Sequence, residues 1–235
     1  MRGVRRKRLS DWTIYAADVE PETVAEALAA EPERVLRDSR STLACVVVVD
    51  GRALHVKVSK ARSAGWTVRH LLRRGRIWRC FLAGLRIAER KLPGIRVLAA
   101  CFRWRGVFMR RAALVSDYVE ASPLSDVLAA ADDDAAASVL RRTGSVLAAW
   151  HAAGVTHGDF KPVNLLLRSD GEVVPADYDN VRFHRGGVPL GRAAVDLSRF
   201  AAALGSAAVK DFVDAYAEAR GCGAGELMFA VGGRR

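Results

Sequence analysis

Long apolar runs are missing from this chain. The longest, Leu43–Val49, has seven residues, whereas a bilayer-spanning helix needs about 20, so any membrane contact is expected to be peripheral. Cysteine pairs are missing too. Cys45, Cys80, Cys101 and Cys222 are scattered, with no zinc-ligand or redox spacing, and are expected to be reduced, buried thiols of a cytosolic protein. No secretory signal is read at the start, because the basic stretch Met1–Ser10 leads into Asp11-Trp12-Thr13 rather than an apolar segment. No internal repeat is visible. Acids are nearly absent from residues 61–111, where Glu89 alone faces fourteen Lys and Arg.

The 235 residues suffice for one large domain or two small lobes, and the 51% hydrophobic content supports a core. Net charge is +11, so the expected partners are anionic. Residues 61–111 carry +13 of it, which leaves −2 for the rest. That segment is either a solvated face or an anion-docking face, and both readings stay open. Nucleotide, phosphorylated glycolipid, nucleic acid and acidic membrane all fit the sign; of these, nucleic acid is not an expected partner.

The pattern along the chain predicts an α+β fold. A basic arm and a short helix from Pro21 occupy residues 1–33. Leu43–Val49 and Ala53–Val58 flank Asp50-Gly51, a hairpin signal. Residues 66–91 carry Trp78, Phe81, Leu82, Leu85 and Ala88 at helical steps, stopped by Pro93-Gly94. Strands are expected at Ile95–Cys101 and Ala112–Tyr118, joined through Arg103–Arg105. A short helix is expected at Pro123–Ala131, and then a helix capped by Asp132–Asp134 and closed by Gly154. A loop at His157, a strand at Leu165–Leu167, a turn at Asp170-Gly171, a strand into Asp177 and helices at Ala193–Leu204 and Val209–Ala219 complete the reading. Three parts follow: residues 1–33, a strand-rich lobe over 34–118 and a compact helical lobe over 119–235, with a hinge near Asp117–Glu120.

The chemistry concentrates in His157-Gly158-Asp159-Phe160-Lys161-Pro162-Val163-Asn164 and, thirteen residues after Asn164, Asp177. An Asp, an Asn five residues on and a second Asp beyond are what phosphoryl transfer from ATP requires. The first orients or deprotonates an attacking hydroxyl, and the other two hold Mg²⁺ against the phosphates. Asp159 is therefore the candidate base, Asn164 and Asp177 the candidate metal ligands, and Lys161 an ammonium in reach of the γ-phosphate. His157 is expected to fix the loop by hydrogen bonds. Asp179, two residues past Asp177, either assists the metal along an extended segment or caps a turn with Asn180.

With Gly51-Arg52-Ala53-Leu54-His55-Val56-Lys57, Val115-Ser116-Asp117-Tyr118-Val119 and Asp196-Leu197, this loop resembles the protein-kinase-like superfamily, most closely the lipopolysaccharide kinase (Kdo and heptose kinase) family. The resemblance covers roughly residues 35–222. It implies a two-lobed fold in which Lys57 binds the α- and β-phosphates, with Lys60 as its competitor. It also implies that main-chain groups of Asp117 and Val119 hold the adenine, and that Asp196, at a helix start, braces the loop.

Two features depart from the family. Arg37–Thr42 stands where glycines are expected over the phosphates. Glu89, late on its helix, is the one acid available to pair with Lys57, unless the nucleotide itself positions that lysine. Only 58 residues follow Asp177 (235 − 177), which suits a small or membrane-presented acceptor. The implied activity is phosphorylation of a sugar hydroxyl on a bacterial glycolipid, with ATP and Mg²⁺, in the cytoplasm at the inner face of the inner membrane. The alternatives are an atypical serine/threonine protein kinase and a pseudokinase or anion-binding scaffold.

Overall fold

The computed structural model describes residues 3–60, 75–105, 108–204, 209–225 and Leu227. The chain divides into two compact units. One holds residues up to Leu85 together with Ile95–Val119; the other holds Arg86–Gly94 together with the chain from Glu120 onward.

The first unit is built on a seven-stranded antiparallel sheet. Its strands are β1 (Arg5–Leu9), β2 (Trp12–Ala16), β3 (Arg34–Asp38), β4 (Thr42–Val49), β5 (Arg52–Ser59), β6 (Val97–Arg105) and β7 (Phe108–Asp117), in the order β1-β2-β6-β7-β5-β4-β3. Helix α1 (Pro21–Ala29) starts at a proline, which fits a first helical turn. Its Val24 and Ala27 join Ile14, Val47, Leu54, Val56, Leu98, Cys101 and Val115 in one buried cluster. Alternation along β5 then leaves His55 and Lys57 on the face away from that cluster. Helix α2 (Gly75–Glu89) sets Trp78 against Tyr15 of β2, 4.8 Å between ring centroids. The rest of the expected helix, residues 66–74, lies outside the described residues.

Local chemistry accounts for the β4–β5 hairpin. Asp50 and Gly51 both take positive φ, 50° and 74°, the geometry whose twist matches antiparallel strands. Residues 5–16 differ from expectation. They were read as a basic arm, but β1 and β2 pair with each other and β2 pairs with β6. Consecutive basic residues in Arg5–Leu9 look like a solvated tail in one dimension; on an edge strand they are the charges that discourage further strand addition. The β6–β7 hairpin also runs longer than expected, and Arg103, placed in the connection, lies in β6 opposite Arg111.

The second unit holds β8 (Ala121–Pro123), α3 (Leu124–Ala130), α4 (Asp133–Ala152), β9 (Val155–Thr156), β10 (Leu165–Arg168), β11 (Val173–Pro175), β12 (Arg182–Phe183), α5 (Leu190–Ala201) and α6 (Val209–Arg220). Asp132 caps α4 by accepting from the Ala135 amide at 2.8 Å, as expected. Leu140, Leu147, Phe160, Leu197, Phe200, Phe212 and Tyr216 share one core, so the loop residue Phe160 anchors the chemistry-bearing segment among three helices. Trp150 is fully buried, and its indole N–H is satisfied by the Pro93 carbonyl at 3.0 Å. Gly144 lets α4 and α6 touch: a Cβ there would stand 2.4 Å from the Phe212 carbonyl oxygen.

Candidate active site

Gly158 opens the loop with φ +76°, and a side chain there would meet the Asn180 carbonyl at 2.6 Å. Both facts demand glycine. After it, the three-residue helical turn Pro162–Asn164 reverses the chain into β10. The backbone of Asn164 is tied at both groups: its N–H donates to the Lys161 carbonyl, and its carbonyl accepts from the Ala176 amide, each at 2.9 Å. Since β10 and β11 pair from Leu165↔Pro175 inward, Asn164 and Asp177 flank the same open end of one hairpin.

Three of the expected side chains meet directly. The Asn164 amide donates to both the main-chain carbonyl and the Oδ2 of Asp159, each at 2.9 Å. Lys161 Nζ lies 3.0 Å from Asp159 Oδ2. Part burial works toward a protonated Asp159, but the hydrogen bonds from Lys161 and Asn164 outweigh it and hold the carboxyl below its ordinary range. Both amide hydrogens of Asn164 are spent on Asp159, so its Oδ1 remains as an acceptor. An amide oxygen beside an exposed carboxylate is a donor set suited to Mg²⁺, which takes few protein oxygens and completes its shell with water and phosphate. No group of three or more His, Cys, Asp and Glu that would cage a metal occurs among the described residues, and a phosphate-bridged Mg²⁺ needs none.

Asp177 has φ 60°, a left-handed conformation uncommon outside glycine. A short helical turn, Tyr178–Asn180, begins at once. The extended segment assumed for Asp177 and Asp179 is therefore absent, and the same-face argument for Asp179 falls with it. Buried Tyr178 fixes the turn by donating to the Pro175 carbonyl at 3.1 Å.

Asp196 sits in the middle of α5, not at its start. The helix begins at Leu190, directly after Pro189 and three residues before the expected Ala193. Only 1% exposed, its carboxylate accepts from the amides of His157 and Gly158, both at 2.8 Å, and from His151 Nε2 at 3.3 Å. Burial alone would raise its pKa. The hydrogen bond from His151, with those from the two amides, reverses the sign and keeps it ionised. His151 is in turn aligned by Tyr216, whose hydroxyl lies 2.8 Å from Nδ1, with its phenol pushed up by burial to about 12.

His157 hydrogen-bonds Ala176, the residue before Asp177, through Nε2 at 2.9 Å. That partner is a carbonyl, so Nε2 carries the proton. Burial depresses the imidazole pKa, which leaves a neutral ring suited to holding the loop. His151 and Tyr216 were not anticipated; the signal lay in two polar residues on otherwise apolar helix faces.

The first unit carries the remaining candidates except Glu89. Lys57, on the interior strand β5, lies between Ala44 and Leu114. Its competitor Lys60 forms an ion pair with Asp38 and donates its amide to the Ser41 carbonyl. In the β3–β4 turn the Ser39 hydroxyl is used internally, accepting from the Thr42 amide at 3.2 Å and donating to its carbonyl at 3.1 Å. The Asp117 amide donates to the Arg96 carbonyl at 3.0 Å, and its carboxylate pairs with Arg52 at 2.5 Å. Val119 is half-buried just after β7. Glu89 ends α2 and belongs to the second unit.

Beside the loop, within the second unit, lies an apolar groove of about 430 Å³ lined by Leu128, Leu140, Lys161, Pro162, Val163 and Leu204. Val163, between the candidate base and the candidate metal ligand, is 58% exposed.

Curated relatives match parts of the chain. A serine/threonine-protein kinase, PknL, of Mycobacterium tuberculosis is 35% identical over 107 residues, 43% of this chain and 27% of its own length. A 3-deoxy-D-manno-octulosonic acid kinase of Xanthomonas euvesicatoria is 33% identical over 93 residues, 40% of this chain and 36% of its own. The aligned stretches thus span about a third or less of those relatives. The model of the lipopolysaccharide kinase (Kdo/WaaP) family matches residues 24–184, more than half of the chain and the whole of the loop from His157 to Asp177. The chain belongs to the lipopolysaccharide kinase (Kdo/WaaP) family.

Proposed function

We propose that this protein transfers the terminal phosphoryl group of ATP to a hydroxyl on a sugar of a bacterial glycolipid. The observation that carries the reading is the Asp159–Asn164 pair set at the open end of the hairpin that also presents Asp177. Asp159, held anionic, orients the acceptor hydroxyl and takes its proton late. A loose transition state needs positioning more than a strong base. Lys161 keeps that carboxylate ionised and faces the charge that develops on the phosphoryl group. Asn164 Oδ1 and the Asp177 carboxylate would hold Mg²⁺, which supplies charge neutralisation between the phosphates. Lys57 would take the α- and β-phosphates, and main-chain groups of Asp117 and Val119 the adenine.

The acceptor class rests on the family match and on the apolar groove beside Lys161, which suits a molecule with a polar hydroxyl and an apolar body. No helix among the described residues is long and apolar enough to cross a membrane. Contact with an acidic membrane surface, at the inner face of the inner membrane, would fall to the basic segment 61–111.

A second reading, a serine/threonine protein kinase, is favoured by the PknL stretch. Incubation with ATP and Mg²⁺, followed by mass spectrometry of protein and of a glycolipid extract, separates the two. Phosphate on glycolipid is expected. Phosphate on protein alone would favour the second reading, and none on either would leave a pseudokinase.

A further inference from the structure

We propose that the first unit carries a binding site for an anionic saccharide, a sugar ring bearing phosphate or carboxylate, on the β1-β2-β6 face. Strand β1 presents four consecutive basic residues, Arg5 to Arg8. Alternation sends two to each side of the sheet. On the α1 side both are matched: Arg5 pairs with Glu20 at 2.6 Å, and Lys7 pairs with Glu22. On the other side, among the described residues, neither Arg6 nor Arg8 has an ion-pair partner. They stand opposite Tyr15 and Thr13 of β2 and, with Phe102 and Trp104 of β6, line a concavity of about 460 Å³. Asp11 at its rim pairs with Arg103 and so does not neutralise them.

Charge on an edge strand blocks aggregation wherever it points. That role does not explain why Arg6, whose guanidinium lies 5.9 Å from the Tyr15 ring centroid, and Arg8 share a concavity with aromatic rings. Two guanidiniums two residues apart on one strand, about 7 Å, repel each other. A phosphate or carboxylate placed between them is the ligand that removes the repulsion, with fork geometry that arginine matches well.

The rings argue for a sugar rather than a flat base. Tyr15 meets Phe102 at 75° and Trp78 at 71°. Of the lining rings, Tyr15 and Phe102 therefore set edge against face and do not form one flat platform for stacking. A puckered ring can lay C–H groups on such a floor while Thr13 and Asp11 meet its hydroxyls. Trp78 packs on both Tyr15 and Phe102, 4.8 and 6.3 Å between centroids, which holds the floor in place before any ligand arrives.

The test is calorimetric titration of the full chain with glucose 1-phosphate, inorganic phosphate and AMP, in the parent, in Arg6→Gln/Arg8→Gln and in Arg5→Gln/Lys7→Gln. Only binding that Arg6→Gln/Arg8→Gln removes is assigned to this site. Glucose 1-phosphate affinity is expected to fall roughly tenfold or more in that variant and to stay within about twofold in the other, since a hydrogen bond to a charged group weighs at least that much. Glucose 1-phosphate should bind the site more tightly than phosphate or AMP. Undiminished binding by Arg6→Gln/Arg8→Gln overturns the site. Phosphate binding as well as the sugar phosphate reduces it to a bare anion patch and overturns the saccharide assignment, and preference for AMP overturns it in favour of a nucleotide. The readout is binding without turnover, so failure here leaves phosphate transfer standing, and failure of phosphate transfer leaves this site standing.

Discussion

At the scale of the residue, Asp159 and Asp177 divide the work, and two substitutions separate them. Asp159→Asn nearly preserves shape and removes the charge that positions the acceptor. Phosphate transfer to a glycolipid extract should fall about 10²- to 10⁴-fold, with ATP affinity within a few-fold of the parent. Unchanged transfer would remove Asp159 from the mechanism. Asp177→Ala should instead abolish the Mg²⁺-dependent part of ATP stabilisation in a thermal-shift titration, about 2.7 kcal/mol at one hundred times the dissociation constant. Full retention of the Mg²⁺ effect would refute the metal assignment. Asp159 and Asn164 were readable as candidates because a spacing of five residues is nearly a local object, and Asp177, thirteen residues further on, was readable only together with them. The left-handed turn at Asp177 was not readable, because a non-glycine residue gives no warning of a positive φ. The Asp196–His151–Tyr216 chain was readable only at its first member, since helices α4, α5 and α6 meet through packing that no local pattern encodes.

Among the elements, the α4–α6 contact gives a case where propensity and packing oppose each other. An alanine favours a helix over glycine by about 1 kcal/mol, so Gly144→Ala should stabilise an isolated α4. In the protein its Cβ would press on main-chain atoms of α6, the Phe212 carbonyl at 2.4 Å and the Tyr216 amide at 3.0 Å. Backbone cannot swing aside as a side chain can. Chemical denaturation should show a loss of about 1–3 kcal/mol, and a gain would mean that the helices separate at little cost. The long helix α4 was legible because its apolar stripe repeats along the sequence, and the short α1 and the β4–β5 hairpin because Pro21 and Asp50-Gly51 mark them locally. Strands of two or three residues, such as β8, β9 and β12, carry too few side chains for any period, and β1 hid its alternation because both of its faces are basic.

For the molecule as a whole, pH and charge set the next tests. Burial keeps His151 and His157 neutral, and with the nearby charge of Lys57 it pulls His55 down to about 4. Each binds fewer protons folded than unfolded, so stability should fall as pH drops below the unfolded value of about 6.5. For His55 the loss continues to about pH 4. Asp196 and Asp159, held low, contribute stability that is present above the unfolded value of about 3.9 and lost as pH falls through their folded values. All five slope the same way: Tm should change little between pH 7 and about 8 and decline steadily toward pH 4. A flat profile between pH 7 and 4.5 would contradict the buried neutral histidines. The charge of +11 gives a second test. Reversing Arg73, Arg74 and Arg76 to Glu should weaken binding to anionic vesicles, and added salt should weaken the parent likewise. Arg73 and Arg74 lie outside the described residues, so this test addresses the sequence segment itself. Binding indifferent to both changes would make it a solvated face.

The strained backbone at position 177 has a consequence for lineages. Glycine adopts φ 60° without penalty, so Asp177→Gly should be more stable than Asp177→Ala while losing the same carboxylate. In a descendant relieved of catalysis, glycine is the replacement this backbone would favour. A paralogue with an intact fold and Gly at the aligned position would then mark an abandoned reaction, legible from one letter of its sequence.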